Sequence, residues 1–179
     1  MPLRSTKRGQ DAIALLKKDH VKLKGLLRRL QSSKGGDARR NLFEQIEHDL
    51  RVHTQIEEEI FYPAFKDAVR SKEQRKLYFE SIEEHHVVDL FLPELKESKL
   101  SPEVFAAKAK VLRDLVEHHA EEEETQMFPR ARTALGSARL KELGAGMQIR
   151  KDQLAAGMWD RALGILNPFA DARPKERAA

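Results

Sequence analysis

Between residues 11 and 133, apolar side chains recur at alternating steps of three and four, and the same stripes carry histidine and glutamate at matching depths. Steps of three and four line one face of an α-helix, whereas a half-buried strand alternates at two. Breaks fall within residues 32–37, around Ser71, within residues 96–102 and near Gly136, leaving four long helices. Ser101 followed by Pro102 reads as an N-cap with proline in the first helical position, where its missing N–H costs nothing. Short connections make consecutive helices antiparallel, so the expected fold is all-α: an up-down-up-down four-helix bundle with an additional C-terminal helix.

The inward stripe of each helix follows from the steps. Helix one gives Ile13, Leu16, His20, Leu23, Leu27 and Leu30. Helix two gives Phe43, Ile46, Leu50, His53, Glu57, Ile60 and Ala64. Helix three gives Tyr78, Ser81, His85, Val88, Leu92 and Leu95, and helix four gives Phe105, Ala109, Leu112, Val116, His119, Glu123 and Met127. Each helix thus turns one histidine inward, and two helices add a glutamate one turn later.

The halves of this stretch repeat. The segment around Asp19-His20 matches that around Glu84-His85 at an offset of 65 residues. His53-x3-Glu57-Glu58 and Tyr62-Pro63 match His119-x3-Glu123-Glu124 and Phe128-Pro129 at an offset of 66. The repeat selects His85 over His86 and His119 over His118, the same choices the stripes make. His48, His86 and His118 are expected at the surface or behind the inner residues, and Glu121, Glu122 and Glu124 as a solvated acidic face.

A histidine and a glutamate four residues apart share a helix face, so His53/Glu57 and His119/Glu123 can present nitrogen and carboxylate to one point. An unpaired buried carboxylate costs several kcal/mol. No lysine or arginine lies on those two stripes beside the acids, so divalent or trivalent cations are the groups that satisfy all six side chains together. The chain has no cysteine. That excludes disulfides, zinc–thiolate sites, iron–sulfur clusters and a cysteine nucleophile. Ligation by histidine and carboxylate suits iron, with manganese or zinc as substitutes.

The order of these residues resembles the hemerythrin family, specifically the bacterial hemerythrin-like HHE cation-binding domain, over about residues 11–133. The resemblance implies a non-haem, carboxylate-bridged centre of two iron ions that meets dioxygen, hydrogen peroxide or nitric oxide. His20, His53, His85 and His119 would be terminal nitrogen ligands, with Glu57 and Glu123 as bridges. Glu58, Asp89 and Tyr62 are candidates for an additional ligand or a place behind the ligands. Two departures from the oxygen carriers stand out. Asp89 occupies the position four after His85 where the carriers have a second histidine, and Glu123 follows His119 by four residues rather than five. Fewer nitrogens leave more coordination positions open, which favours redox chemistry, sensing or iron handling over reversible oxygen carriage. Catalase- or peroxidase-like turnover is the enzymatic version, and an iron-storage or iron-sensing module the non-catalytic one.

The remaining chain divides into a basic N-terminal segment (1–10), a helical C-terminal extension (134–165, its helix at about 137–163) that packs on or extends the bundle, and a loose tail (166–179). Trp159 is the expected anchor of that helix. No stretch has the roughly 20 apolar residues of a membrane span. No signal peptide is read at the N-terminus, so a cytoplasmic protein is expected. Residues 1–40 hold twelve Lys/Arg against three Asp/Glu, within a formal net charge of +4. A basic interaction protein with a structural metal is the third reading. No nucleic-acid motif accompanies the charge, so nucleic acid is not the expected partner.

Overall fold

The computed structural model describes residues 10–96 and 101–162, the last six of these by backbone alone. The basic N-terminal segment up to residue 9, the Trp159 side chain and the tail lie outside the described residues. Helix α1 (Ala12–Gln31) starts at Asp11, whose side chain accepts from the Ala14 N–H at 2.8 Å. Helix α2 (Gly36–Ile56) runs through a π-helical turn, Glu57–Phe61, into α3 (Tyr62–Ala68). Ser71 caps α4 (Lys72–Leu95), and Ser101 caps α5 (Pro102–Glu122) with Pro102 in the first turn. A second π-helical turn, Glu123–Met127, leads into α6 (Phe128–Ala162). These helices form an all-α up-down-up-down bundle in which α1 packs against α2 and α5, and α4 against α5.

The two π turns have a readable cause. Each ends two residues before a proline, Pro63 or Pro129. Proline has no N–H to give, and its ring crowds the carbonyl four residues back. The helix responds by widening: the Tyr62 N–H bonds the Glu57 carbonyl and the Phe128 N–H bonds that of Glu123, five residues apart. The extra residue per turn advances the buried face. This corrects the stripe of helix two beyond Glu57, where Phe61, Tyr62 and Phe65 are buried in place of Ile60 and Ala64. Every other predicted stripe residue is buried except Tyr78, which is half-buried.

The core falls into two apolar clusters. One, at the end carrying the π turns, contains Ile13, Leu16, Phe61, Phe65 and Phe128. The other, toward the opposite end, contains Leu27, Phe43, Leu92, Phe105 and Leu112. A layer of buried His and Glu separates them. The C-terminal extension begins at Gly136, whose φ of 72° breaks the helical path where glycine alone is comfortable. The helix then packs along α1 and α2, placing Leu140, Leu143 and Met147 in the first cluster. The approach is closest at Gly144, where a Cβ would lie 2.2 Å from the Gln10 carbonyl oxygen. No described helix is long and apolar enough to cross a membrane.

Candidate metal centre

The polar layer consists of His20, His53, Glu57, His85, His119 and Glu123, all buried, with Ser81 nearby. The two glutamates are 0% and 1% exposed. Each stands between histidines of both halves. Glu57 Oε2 is 3.3 Å from His53 Nε2 and 3.4 Å from His85 Nε2. Glu123 Oε2 is 3.2 Å from His20 Nε2 and 3.8 Å from His119 Nε2. Donor atoms of His20, His53, Glu57 and Glu123 lie close enough to hold one cation, and those of Glu57, His85 and His119 to hold another.

The outward ring nitrogens meet carboxylates. His20 Nδ1 lies 2.9 Å from Glu124, His85 Nδ1 2.8 Å from Glu58, and His119 Nδ1 2.7 Å from Glu84. An ionised carboxylate only accepts, so each of these Nδ1 atoms carries a proton and the inward Nε2 is the atom whose lone pair, once unprotonated, is turned to ligate. The consequence is sharpest at His85 and His119, whose Nε2 atoms are 3.2 Å apart. Two lone pairs at that distance repel unless a cation or a shared proton sits between them. The buried inner atoms His20 Nε2, Glu57 Oε1 and Oε2, and Glu123 Oε2 have no hydrogen-bond partner among the described residues. Inward lone pairs, orphaned carboxylate oxygens and outward carboxylate supports together fit metal ions.

The titration directions describe the same strain. Burial opposes charge on both glutamates, and only one can ionise cheaply. Burial and the neighbouring Glu123 push Glu57 well above the usual carboxylate range. On Glu123, the close His20 imidazole and the other nearby imidazoles outweigh burial and hold its carboxyl well below that range. Burial likewise opposes charging His20 and His119, but Glu123 and Glu84 respectively outweigh it and raise both. Burial pushes His53 down to about 4, only partly offset by Asp19 at 3.7 Å.

The repeat breaks at one point inside the centre. Tyr62 and Phe128 occupy equivalent positions and stack on His85 and His20, with centroids 5.5 and 5.8 Å away. Only Tyr62 has a hydroxyl. It donates to Glu123 Oε1 at 2.9 Å and lies 3.3 Å from His85 Nε2. Beside the ligands is a cavity of about 20 Å³, lined by the four inner histidines, Glu84 and apolar residues including Leu50, Val88 and Val116. That is room for about one water-sized molecule.

The structure brings together all six principal candidates, with Tyr62 beside them and Glu58 behind His85. It does not bring in Asp89, which is exposed: the buried face runs from His85 through Val88 to Leu92 and leaves Asp89 outside. His86 and His118 are exposed and His48 is half-buried. Glu124 is corrected from a solvated residue to the partner of His20, because the π turn beginning at Glu123 turns it toward α1. The repeat carried that signal: Glu58 and Glu124 are equivalent, as are Asp19 and Glu84, and each pair faces equivalent histidines.

A bundle with a layer of buried histidine and glutamate between two apolar clusters defines a helical cation-binding protein. The family model of the hemerythrin HHE cation-binding domain matches residues 11–131, and the chain belongs to that family. Rv2633c of Mycobacterium tuberculosis, an uncharacterized protein, is 30% identical over 146 residues, covering 80% of this chain and 87% of its own. A crystal structure of an HHE domain protein from Mycobacterium kansasii, a homologue of Rv2633c, superposes with a TM-score of 0.72 at 26% identity, covering 88% of this chain and 95% of that one. A DNA nickase of a Nostoc species is 26% identical over 160 residues; the match takes in 89% of this chain but 44% of the nickase.

Proposed function

We propose that this protein is a non-haem di-iron protein that binds, senses or reduces a small oxidant: dioxygen, hydrogen peroxide or nitric oxide. The observation that carries the reading is the pair of inward-facing nitrogens of His85 and His119, 3.2 Å apart with their outer nitrogens held by Glu84 and Glu58. That arrangement is electrostatically tolerable around cations. His20, His53, Glu57 and Glu123 would hold one iron, and Glu57, His85 and His119 the other. When bound, such a centre supplies redox equivalents and Lewis acidity to a ligand spanning two metals.

The chain's own residues set the rest. The outer carboxylates fix ring orientation and raise imidazole basicity. Leu50, Val88 and Val116 line the apolar side of the cavity of about 20 Å³, whose size suits a ligand of a few atoms and not an organic substrate. The Tyr62 hydroxyl, which now donates to Glu123, is a hydrogen-bond donor within reach of the His85–His119 side, and burial with the adjacent carboxylates keeps it protonated. The same ligands would also serve an iron store or sensor without turnover. The basic face of α1 is largely matched inside the chain, with Lys17 and Lys24 near Glu124, Lys22 on Asp49 and Arg28 on Glu117. This weighs against nucleic acid as the partner.

The deciding experiment is elemental analysis with the visible spectrum of aerobically purified protein, followed by peroxide and nitric oxide assays. Two irons per chain with near-ultraviolet oxo-bridge bands support the reading, and oxygen evolution from peroxide that His53→Ala abolishes makes it enzymatic. Stable iron without turnover favours storage or sensing. Zinc alone, or no metal and no loss of stability on chelation, refutes it.

A further inference from the structure

Each of the six inner residues is 7% exposed or less, and the carboxylates that support the ligand rings lie between them and the surface, which makes those carboxylates the polar stepping points for an incoming ion. We propose that Glu84, His118 and Glu122, on the outer face of α4 and α5, form a loading site that receives a divalent cation and delivers it past His119; this rests on the reading of the core as a metal centre.

Charge separates the four possible routes. Asp19 is held by Lys151 at 2.6 Å, and Glu124 has Lys17 and Lys24 at 3.5 and 3.6 Å. Those lysines repel an arriving cation. Among the described residues, neither Glu58 nor Glu84 has a lysine or arginine within ion-pair distance. A cavity of about 240 Å³ does lie over Asp19, but Lys22 and Lys151 line it. The space inside the ligand cage decides between the remaining two: it is lined by Glu84 and not by Glu58.

Around Glu84 the surface offers further ligands. His118 Nε2 is 3.8 Å from Glu84 Oε1 and 3.9 Å from Glu122 Oε2, and the three residues present donor atoms close enough to share one ion. The other oxygen of Glu84 is 2.7 Å from His119 Nδ1, so a single carboxylate reaches from the surface group to the ligand ring. Glu122 otherwise receives only a long contact from Gln126 at 3.3 Å, and Lys76 nearby is engaged by Glu80 at 2.8 Å. The repeat supplies an internal control. The counterparts of His118 and Glu122 in the first half are Val52 and Ile56, both buried beside α6. The bundle itself therefore does not call for an imidazole and a carboxylate at these positions. Among the described residues, the C-terminal helix packs on one face of the molecule and not on its counterpart, and that second face carries the donors.

The test uses full-length protein freed of metal and mixed with Co²⁺ in a stopped-flow spectrometer. The variant is His118→Ala with Glu122→Gln; Glu84 is left intact because it supports His119. The parent should load about tenfold faster than the variant, the scale of electrostatic guidance into a charged site. Both should fill the core centre to the same two cobalt per chain with the same core spectrum. A titration should also reveal a weaker third equivalent in the parent that the variant lacks. Equal loading rates with equal stoichiometry overturn the route. Failure of the parent to take up any cobalt overturns the centre, and the route with it.

Discussion

Replacing Gly144 with alanine should unseat the C-terminal helix, although the same replacement two residues later should strengthen it. An ideal Cβ on Gly144 would lie 2.2 Å from the Gln10 carbonyl oxygen, 2.7 Å from the Ala12 nitrogen and 2.8 Å from the Asp11 carbonyl carbon. All three are backbone atoms, so no rotamer change relieves the overlap. Ordinary contact begins at 3.4 Å, and α6 must retreat from α1 by about 1 Å or more to reach it. That retreat disturbs Leu140, Leu143 and Met147, which are buried in the cluster beneath. Overpacking of this kind costs about 1–3 kcal/mol, against which alanine gains about 1 kcal/mol in helix propensity. Since the clash is with backbone, we expect the upper part of that range and a net loss of about 1–2 kcal/mol. At Gly146 an added Cβ meets nothing within 4 Å, so only the propensity gain of about 1 kcal/mol remains. The two variants should therefore differ by about 2–3 kcal/mol in urea unfolding followed by circular dichroism, with the metal state matched. Gly144→Ala as stable as Gly146→Ala would refute the close packing of α6 on α1.

Cation binding should raise the melting temperature. Saturation at 100 times Kd adds about 2.7 kcal/mol, several degrees for a chain of this size, and an unchanged melt after chelation would contradict it. Binding near pH 7 should release protons, because Glu57, His20 and His119 are all raised and must present unprotonated atoms to the metal. Affinity then rises with pH as these raised groups lose their protons above their ordinary ranges, while His53, held near 4, is already unprotonated and contributes nothing there. Calorimetry in buffers of different ionisation enthalpy measures the release, and buffer-independent heats would count against it. Glu58→Ala should weaken metal retention by about 10–100-fold in chelator competition, because it frees the His85 ring to turn. Tyr62→Phe should change the spectrum or ligand affinity of the loaded protein, whereas Phe65→Leu, in the same cluster without a polar contact, should leave both as they are.

Much of the centre was legible because helical periodicity and an internal repeat are both one-dimensional. Four apolar stripes required four helices, and His20, His53, His85 and His119 had to share a layer once the helices ran antiparallel. The fall of Glu57 and Glu123 into that layer needed nothing beyond a four-residue step. The stripe failed where the step changed. Beyond Glu57 the π turn before Pro63 advanced the face by one residue, exchanging Ile60 and Ala64 for Phe61, Tyr62 and Phe65. The prolines were visible in the sequence, but the way the backbone yields to a missing N–H depends on the packing around it.

The outer carboxylates mark the division most clearly. Their equivalence under the repeat was written in the chain, yet which histidine each one meets depends on distances across helices. Asp19 and Glu84 hold equivalent positions. Glu84 closes to 2.7 Å on His119, whereas Asp19, one methylene shorter and bound by Lys151 from α6, remains 3.7 Å from His53. Asp89 shares its helix with His85 and still faces outward. The sequence by itself determined the helices, the repeat and the residues that must meet in one layer, because these depend on neighbours three to five positions away. The tertiary structure decided which carboxylate supports which ring, which face α6 covers and which it leaves open, because those contacts join residues up to 132 positions apart and exist only once the helices have docked.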